Sequence, residues 1–529
     1  MTAQRRTAGE WIVAQLVELG ADMAFGVPGE SFLAVLDAIQ ASPSLRFVTC
    51  RQEGGAGYAA DAHARLTGRP GVLMVTRGPG ATNASVAVHT AQQDETPLLL
   101  FVGLIPTTNR GRDAFQEFDL GAMFGSMAKR VEVIDRPEQA TEVVARAWST
   151  ATAGRPGPVV IGLPEDVLEL EAVAEVVPAS VPRRTAVDPG AVARVRELLA
   201  VAERPVVIAG GSRWTDRAIE GLPGALGGVP LVTGFRRQDL VDHRRAAFAG
   251  SLGLGADPEL VARVGRADLV VAIGDRLDDP STNGFSLLGV PRPRASLVHV
   301  HADPIELGRV HRPDLAIVAD PEAFVAALGT ATAAAASSSR DAWLADARLG
   351  YVRWAAGGGD QETIVRGLRE LLAEDAVVTH GAGNFTRPVQ RAYPYRRPGR
   401  QLAPASGSMG YGLPAAVAAA VTHPDRQVVC VAGDGDLLMT AQELATAAHV
   451  GASLTVLVVN NAAYGTIRTH QERRYPGREI ATALTNPDFV KLAEAFGGVG
   501  TRARSVDEAL GALAVGVAGS GLHLVDLVT

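Results

Sequence analysis

Short apolar bursts alternating with helix-length segments run through the chain three times, and this rhythm restricts the fold more than any other feature. In the first series the bursts are MAFGV (23–27), RFVTC (46–50), VLMVT (72–76), PLLLFVG (97–103) and PVVIGLP (158–164). Strands that read as near-continuous Val, Ile and Leu, each followed by a helix, describe βαβ units whose parallel sheet is covered on both faces. A second series repeats the pattern with RPVVIAGG (204–211), PLVTG (230–234), ADLVVAIGD (267–275) and SLVHVHAD (296–303). The third runs through EDAVVTHGAG (374–383), RQVVCVAGDGD (426–436), ASLTVLVVNN (452–461) and LHLVDLV (522–528). The expected fold class is therefore α/β, with three doubly wound parallel-sheet domains over 1–170, 188–330 and 345–529. The stretch 171–190 reads as a linker and ATAAAASSSR (331–340) as a low-complexity spacer. A chain of 529 residues, 47% of them hydrophobic, supplies more core than one domain of about 100–200 residues uses.

Charge and hydropathy exclude several partners. Net charge is −7, and the 50 basic residues form no block able to neutralise a row of phosphates, so nucleic acid is not expected. Only Lys129 and Lys491 are lysines. No apolar run approaches the roughly 18 residues of a membrane span. The opening MTAQRRTAGEW lacks the apolar centre of a signal peptide. Cys50 and Cys430 sit in strand-like contexts, which fits reduced, buried thiols. The expectation is a cytoplasmic protein with no membrane partner.

Chemistry concentrates in the third series. AGDGD (432–436) closes one strand and VVNNAAYG (458–465) closes another, both where open parallel sheets bind ligands, outside the carboxyl ends of the strands. A hard divalent cation takes oxygen ligands, and the Asp434 carboxylate, the Asn461 amide oxygen and the Ala463 carbonyl offer three. Mg²⁺ bound by so few protein groups fills its octahedron with phosphate oxygens and water. Gly433, Gly435 and Gly465 leave room for the backbone to approach a phosphorylated ligand.

GDG, then a helix and a strand, then NN, resembles the fingerprint of thiamine diphosphate enzymes. The chain as a whole resembles the superfamily of acetohydroxyacid (acetolactate) synthases, pyruvate oxidases and pyruvate decarboxylases. The likeness extends through FGVPGESF, RQEGGAGYAADAHARLTGRPG, TRGPGATN, AFQEFD, TAGRPGPVVIGLPEDV, ADLVVAIGDRLDD and SGSMGYGLPAAVAAA. It implies a pyrimidine-binding domain first, a central domain, and a diphosphate-binding domain last, with thiamine diphosphate and Mg²⁺ as cofactors. Glu53 matches the carboxylate that bonds the cofactor's pyrimidine ring and promotes the tautomer able to take the thiazolium proton. The small residues after it then read as clearance for the ring and for a partner subunit's helix. Gly29, Thr76 and Asn83 belong to the same half of the cofactor site by this resemblance. Met409, between Gly407 and Gly410, matches the apolar wedge that bends the cofactor, with Gly407 on its pyrimidine edge. The resemblance assigns the diphosphate end to Gly383, Asn384, Gly433, Asp434, Gly435, Asp436, Asn461, Ala463, Tyr464, Gly465 and Thr466, with Asp434, Asn461 and Ala463 on the metal.

Around the reacting carbon the resemblance places Gln116, Glu30 and Lys129 as catalytic candidates, and Phe115, Ile467, Arg468 and His470 in the substrate pocket. It implies decarboxylation of a small, pyruvate-like 2-oxo acid with carboligation to a second carbonyl, as in acetolactate synthase. A non-ligating decarboxylase, an FAD-linked oxidase and a non-catalytic regulatory relative are the alternatives. Four positions depart from the synthase pattern. Gln52 stands for a His, Glu30 for a small residue, and His470 for a Trp, while Arg468 stands where decarboxylases carry a Glu. Glu30 reads equally as a proton relay, a repulsive charge or a helix cap. FAD remains open, since related synthases and oxidases hold it in the central domain; GGS (210–212), TGFR (233–236), SLGLGAD (251–257) and GDRLDD (274–279) match those segments only in part. The resemblance also implies a homodimer at minimum, with a homotetramer as the expected form; a regulatory subunit is unknown.

Overall fold

The computed structural model describes residues 5–180, 186–329 and 338–529. Residues 181–185 of the expected linker and most of the expected spacer lie outside them. Three six-stranded sheets, parallel throughout and flanked by helices, form the molecule, in agreement with the expected fold class. An antiparallel pair, Arg5–Thr7 with Glu171–Val173, ties the start of the first domain to its end.

The first sheet contains β1 (Met23–Gly26), β2 (Arg46–Thr49), β3 (Gly71–Val75), β4 (Leu98–Leu104), β5 (Arg130–Val133) and β6 (Pro158–Pro164) in the order 2-1-3-4-6-5. Gly26 pairs with both Thr49 and Met74, so the loops after β1, β2 and β3 leave the sheet side by side. Helix α1 (Glu53–Thr67) follows β2, and α2 (Pro79–Asp94) follows β3. Pro79 suits the first turn of α2, where its missing N–H has no helical partner to lose.

The central sheet runs β9-β8-β7-β10-β11-β12, from β7 (Pro205–Ala209), β8 (Leu231–Thr233), β9 (Phe248–Ser251), β10 (Leu269–Ile273), β11 (Ser296–His301) and β12 (Leu315–Val318). Its order reverses between β7 and β10, and helix α3 (Asp216–Leu226) follows β7.

The third sheet has β13 (Val377–His380), β14 (Gln401–Leu402), β15 (Val428–Gly433), β16 (Leu454–Asn460), β17 (Val499–Ala503) and β18 (Leu522–Val528). Their order, 14-13-15-16-18-17, repeats that of the first sheet. Gly433 pairs with Val459, so Asp434 and Asn460 emerge next to each other. Helices α4 (Gly412–Thr422), α5 (Glu443–Val450) and α6 (Gly465–Arg474) belong to this domain.

One hydrophobic cluster joins the first and third domains through α1 and α4, both rich in Ala and Gly. Tyr58 bonds Ser408, the Tyr411 hydroxyl donates to Asp61 (2.6 Å), and Arg65 donates to the Ala403 carbonyl (2.8 Å). The small residues of α1 thus fit it against the chain's own third domain and against α2, where a Cβ on Gly57 would overlap that of Ala87. This differs from the expected clearance for a ring: close helix packing accounts for them within one chain.

Candidate active site

Glu53 is the first residue of α1. Only 9% of it is exposed, and Glu53 Oε2 accepts from Asn83 Nδ2 in the second turn of α2 (2.9 Å). Gln52, extended at φ −155°, caps the helix: its Oε1 accepts the Gly55 N–H at 2.9 Å. That accounts for a hydrogen-bonding side chain where a His was expected. Glu443, at the start of α5 in the third domain, reaches across and accepts the N–H groups of Arg51 (3.2 Å) and Gln52 (3.1 Å). It is 1% exposed, and burial pushes its carboxyl above the usual range against the pull of the Thr446 hydroxyl and these two amides. A Cβ on Gly55 would lie 2.7 Å from Glu443 Oε1, so the second glycine of EGG is where this carboxylate seats. The backbone leading into Glu53 is thus held by the third domain, while the Glu53 carboxylate is held by Asn83 of its own domain. Sequence reasoning missed Glu443; the QEL after GDGDLLMTA offered no signal beyond an acid in a helical run.

Beside Glu53, Thr76 at the end of β3 bonds Ser31 Oγ (2.9 Å), and Gly29 packs on Thr76 so closely that a Cβ would lie 2.5 Å from its side chain. Arg77 gathers the neighbouring polar groups. It is 7% exposed and pairs with both Glu30 and Glu165, while its Nε donates to Gln116 Oε1 (3.2 Å). Glu30 caps no helix; its partner is Arg77. Gln116 sits at φ +65°, held against Gly78, and next to it Phe115 is 76% exposed. Arg77 and Glu165 were not singled out in the sequence, although TRGPGATN and GLPEDV lie in segments that carry the resemblance. Lys129 is drawn away from this group: its ammonium donates to the carbonyls of Ala153 (2.6 Å) and Arg155 (2.8 Å), and burial lowers its pKa to about 8.

The other half lies at the ends of β15 and β16. Asp434, 3% exposed, accepts from Gly435 N–H (2.9 Å) and from Asn486 Nδ2 (2.7 Å). Asn486 also donates to Asn460 Oδ1 (2.9 Å), and its own Oδ1 is buried without a partner. Asn461 is exposed, with Oδ1 accepting the Ala463 N–H at 3.1 Å. The glycines of GDGD answer to neighbouring rings: a Cβ on Gly433 would meet Phe385 at 2.7 Å, and one on Gly435 would meet Tyr464 at 2.6 Å. A Cβ on Gly465 would lie 2.9 Å from Asn461 Nδ2. Asp436 bonds a different set of groups from Asp434. It is buried, accepts from Ala382 N–H (3.1 Å) and Gly410 N–H (3.0 Å), and is raised to about 7 chiefly by burial. It thereby ties the loop after β13, which carries Gly383 and Asn384, to the GSMG turn. Asn384 N–H donates to Thr466 Oγ1 (2.9 Å). Gly407, at φ +71°, has nothing within 4 Å of where a Cβ would be. Met409 is half-buried and belongs to none of the hydrophobic clusters. In α6 no residue is buried: Ile467 is 54% exposed, Arg468 pairs with Glu472 (3.1 Å), and His470 lies beside Arg473.

The residues fit thiamine diphosphate and Mg²⁺. Asp434 and Asn461 follow adjacent strands, and with the Ala463 carbonyl they offer oxygen ligands only; a carboxylate with two bonds retains lone pairs for a cation. Among the described residues no group of three or more His, Cys, Asp or Glu could hold a metal ion. The buried Asn486 Oδ1, without a partner beside Asp434, is a further oxygen next to the Asp434 set. No hydrogen bond or ion pair joins Glu53 to the Asp434 group among the described residues.

Three family models match the chain: the thiamine pyrophosphate enzyme N-terminal TPP binding domain over 6–123, the central domain over 192–328, and the C-terminal TPP binding domain over 381–527. The chain belongs to the thiamine pyrophosphate enzymes. Within that class it is similar to the acetolactate synthase large subunit of Corynebacterium glutamicum, 31% identical with 96% of this chain and 84% of the relative covered. It is 33% identical to the acetolactate synthase of Mycobacterium bovis, over 94% of this chain and 84% of that one. Acetolactate synthase isozyme 3 large subunit of Escherichia coli K12 is 33% identical, over 93% and 89%. Among the described residues no helix is long and apolar enough to cross a membrane.

Proposed function

We propose that the chain is a Mg²⁺- and thiamine diphosphate-dependent enzyme that decarboxylates a small 2-oxo acid and joins the remaining carbon fragment to a second carbonyl, in the manner of acetolactate synthase. The observation that carries the reading is the pair of half-sites: a buried carboxylate at the head of α1, and an all-oxygen metal set at the ends of β15 and β16. When bound, thiamine diphosphate supplies the carbanion centre that attacks the 2-oxo acid and lets CO₂ depart. Asp434, Asn461 and Ala463 hold the cation, and Met409 and Gly407 support the cofactor's bend and pyrimidine edge. Glu53 Oε2 is taken by Asn83, which leaves Oε1 to share a proton with a pyrimidine nitrogen.

Gln116 spends its carbonyl oxygen on Arg77, so its NH₂ remains to donate to a substrate oxygen. Because Glu30 is compensated by Arg77, it is poorly suited to deliver the proton that a non-ligating decarboxylase needs. Phe115 and Ile467, large apolar side chains exposed on separate halves, are the walls that a second copy would bring together. A homodimer is the smallest active unit under this reading, a homotetramer its expected form, and the cytoplasm its setting. The test is incubation with Mg²⁺, thiamine diphosphate and pyruvate, glyoxylate or benzoylformate, with products identified by NMR. Release of CO₂ with a hydroxy-keto product is expected. Aldehyde or acetate alone would replace ligation by the decarboxylase or oxidase outcome, and no turnover of any 2-oxo acid would sink the proposal.

A further inference from the structure

The central sheet has the strand order of dinucleotide-binding folds, and its reversal between β7 and β10 opens a crevice above the glycine turn Gly210–Gly211. In such folds that turn lets a diphosphate approach the backbone at the N-terminus of the next helix. Here four observations place the chain's own groups in that position. Asp275, at the end of β10, is buried, and its Oδ2 lies over both Gly210 and Gly234, so that a Cβ on either would overlap it. Asp275 Oδ1 is fixed by the Leu277 N–H (2.7 Å). The Gly274 carbonyl presses on Gly211 so tightly that a Cβ there would overlap it. The Ser212 N–H and hydroxyl, donors a phosphate would use, are given to Glu95 Oε2 at 3.2 and 3.1 Å. Helix α3 starts only at Asp216, capped by Thr215, and so presents no free N-terminus at the turn.

Glu95 is the residue that ends α2, and the rest of that helix end is held in the same place. Arg237 donates to the Asp94 carbonyl (2.6 Å), Arg155 donates to the Gln92 carbonyl, and Arg155 and Arg276 both lie near the Glu95 carboxylate. We propose that the central domain binds no flavin or other dinucleotide, and that its crevice serves instead as the socket for the carboxyl end of α2. Asp275 and Glu95 occupy the space a diphosphate would need, and the Ser212 donors that would hold it are already taken. Since the opposite end of α2 carries Asn83, the partner of Glu53, the socket fixes the helix that orients that carboxylate.

The test has two arms, and neither reads turnover, so failure here is separable from failure of the carboligase reading. The full chain is purified with FAD in every buffer, desalted, and examined for the flavin absorption band; FAD and ADP are then titrated by calorimetry. No retained flavin and no saturable binding of either is expected, and stoichiometric FAD or saturable ADP binding would overturn the proposal. The second arm asks what the glycines accommodate. Gly210→Ala should lower the melting temperature of the flavin-free protein by several degrees, because the methyl meets Asp275. Asp275→Ala in the same chain should recover much of that loss, a coupling that distant sites do not show. Gly234→Ala gives the same cycle independently if Gly210→Ala does not fold. Additive effects, or alanines without cost at both glycines, would mean the glycines do not serve Asp275.

Discussion

The first and third domains share one strand order, yet they prepare opposite ends of a site by different means. In the third domain the register does most of the positioning: Gly433 beside Val459 brings Asp434 and Asn460 out together, and tight turns against Phe385 and Tyr464 shape the loops. In the first domain the candidate carboxylate stands at a helix head fixed partly by Glu443 of the third domain and partly by α2 of its own domain. One half therefore carries its geometry in its own backbone, while the other borrows part of it. Damage to the third-domain half should accordingly abolish cofactor binding, whereas damage to the first should leave binding and impair turnover.

The largest expected effect follows from Asp434→Ala. It removes the only carboxylate of the metal set, so Mg²⁺-dependent binding of thiamine diphosphate, followed by calorimetry, should weaken by more than the roughly 10–100-fold typical of losing an outer-shell partner. Asn486→Ala, which removes such a partner, should fall within that range. Glu53→Gln comes next. Turnover should drop by about 10²–10⁴-fold, the usual worth of a positioned acid–base group, while cofactor affinity changes little. If Glu53→Gln lost binding and Asp434→Ala kept it, the comparison between the halves would be reversed.

The same contrast explains what was legible in the sequence. Central strands such as β4 and β16 are buried on both faces and announce themselves as apolar runs. The strands that escaped notice, β5, β9, β12, β14 and β17, all lie at sheet edges. Arg130–Val133 and Val499–Ala503 are partly exposed there and carry Arg and Glu among their apolar residues, while Gln401–Leu402 is too short to show a pattern. In the site, Asp434, Asn461 and Glu53 were visible because each sits in a local pattern of turn or helix start. Glu443, Arg77, Glu165 and Asn486 were not, because each matters only through contacts with distant segments; Glu443 lies 391 residues from its partner Gln52. The position of Lys129 shows the converse, since likeness of sequence context did not foretell that two carbonyls of its own domain would hold its ammonium.

Glu443 tests whether the first-domain half truly borrows its geometry. Glu443→Ala leaves the amides of Arg51 and Gln52 without an acceptor, which should destabilise the protein by about 1–3 kcal/mol. It should also lower kcat with little change in cofactor affinity, and Glu443→Gln, which retains an acceptor oxygen, should restore most of both. A linkage between pH and stability separates the two variants further. Burial raises the Glu443 carboxyl above 4.5 in the folded state. Its contribution is therefore complete below pH 4.5 and lost as pH rises through the raised value. Glutamine does not titrate, so melting curves should show Glu443→Gln gaining on the native chain as pH rises across that window. Equal pH slopes in the two proteins would contradict the assignment.

The smallest expected effect belongs to Gln52. Its Oε1 satisfies the Gly55 N–H at the same helix head, so Gln52→Ala should cost about 0.5–1 kcal/mol, the lower part of the range for losing a helix cap. Because Glu443 still holds the amides of residues 51 and 52, and Asn83 still holds the carboxylate, turnover should fall less than twofold. A loss of turnover of tenfold or more with an unchanged melting temperature would place Gln52 against the substrate. Read with the Glu53 and Glu443 variants, that result would show whether the head of α1 is a frame for one carboxylate or presents two reacting side chains.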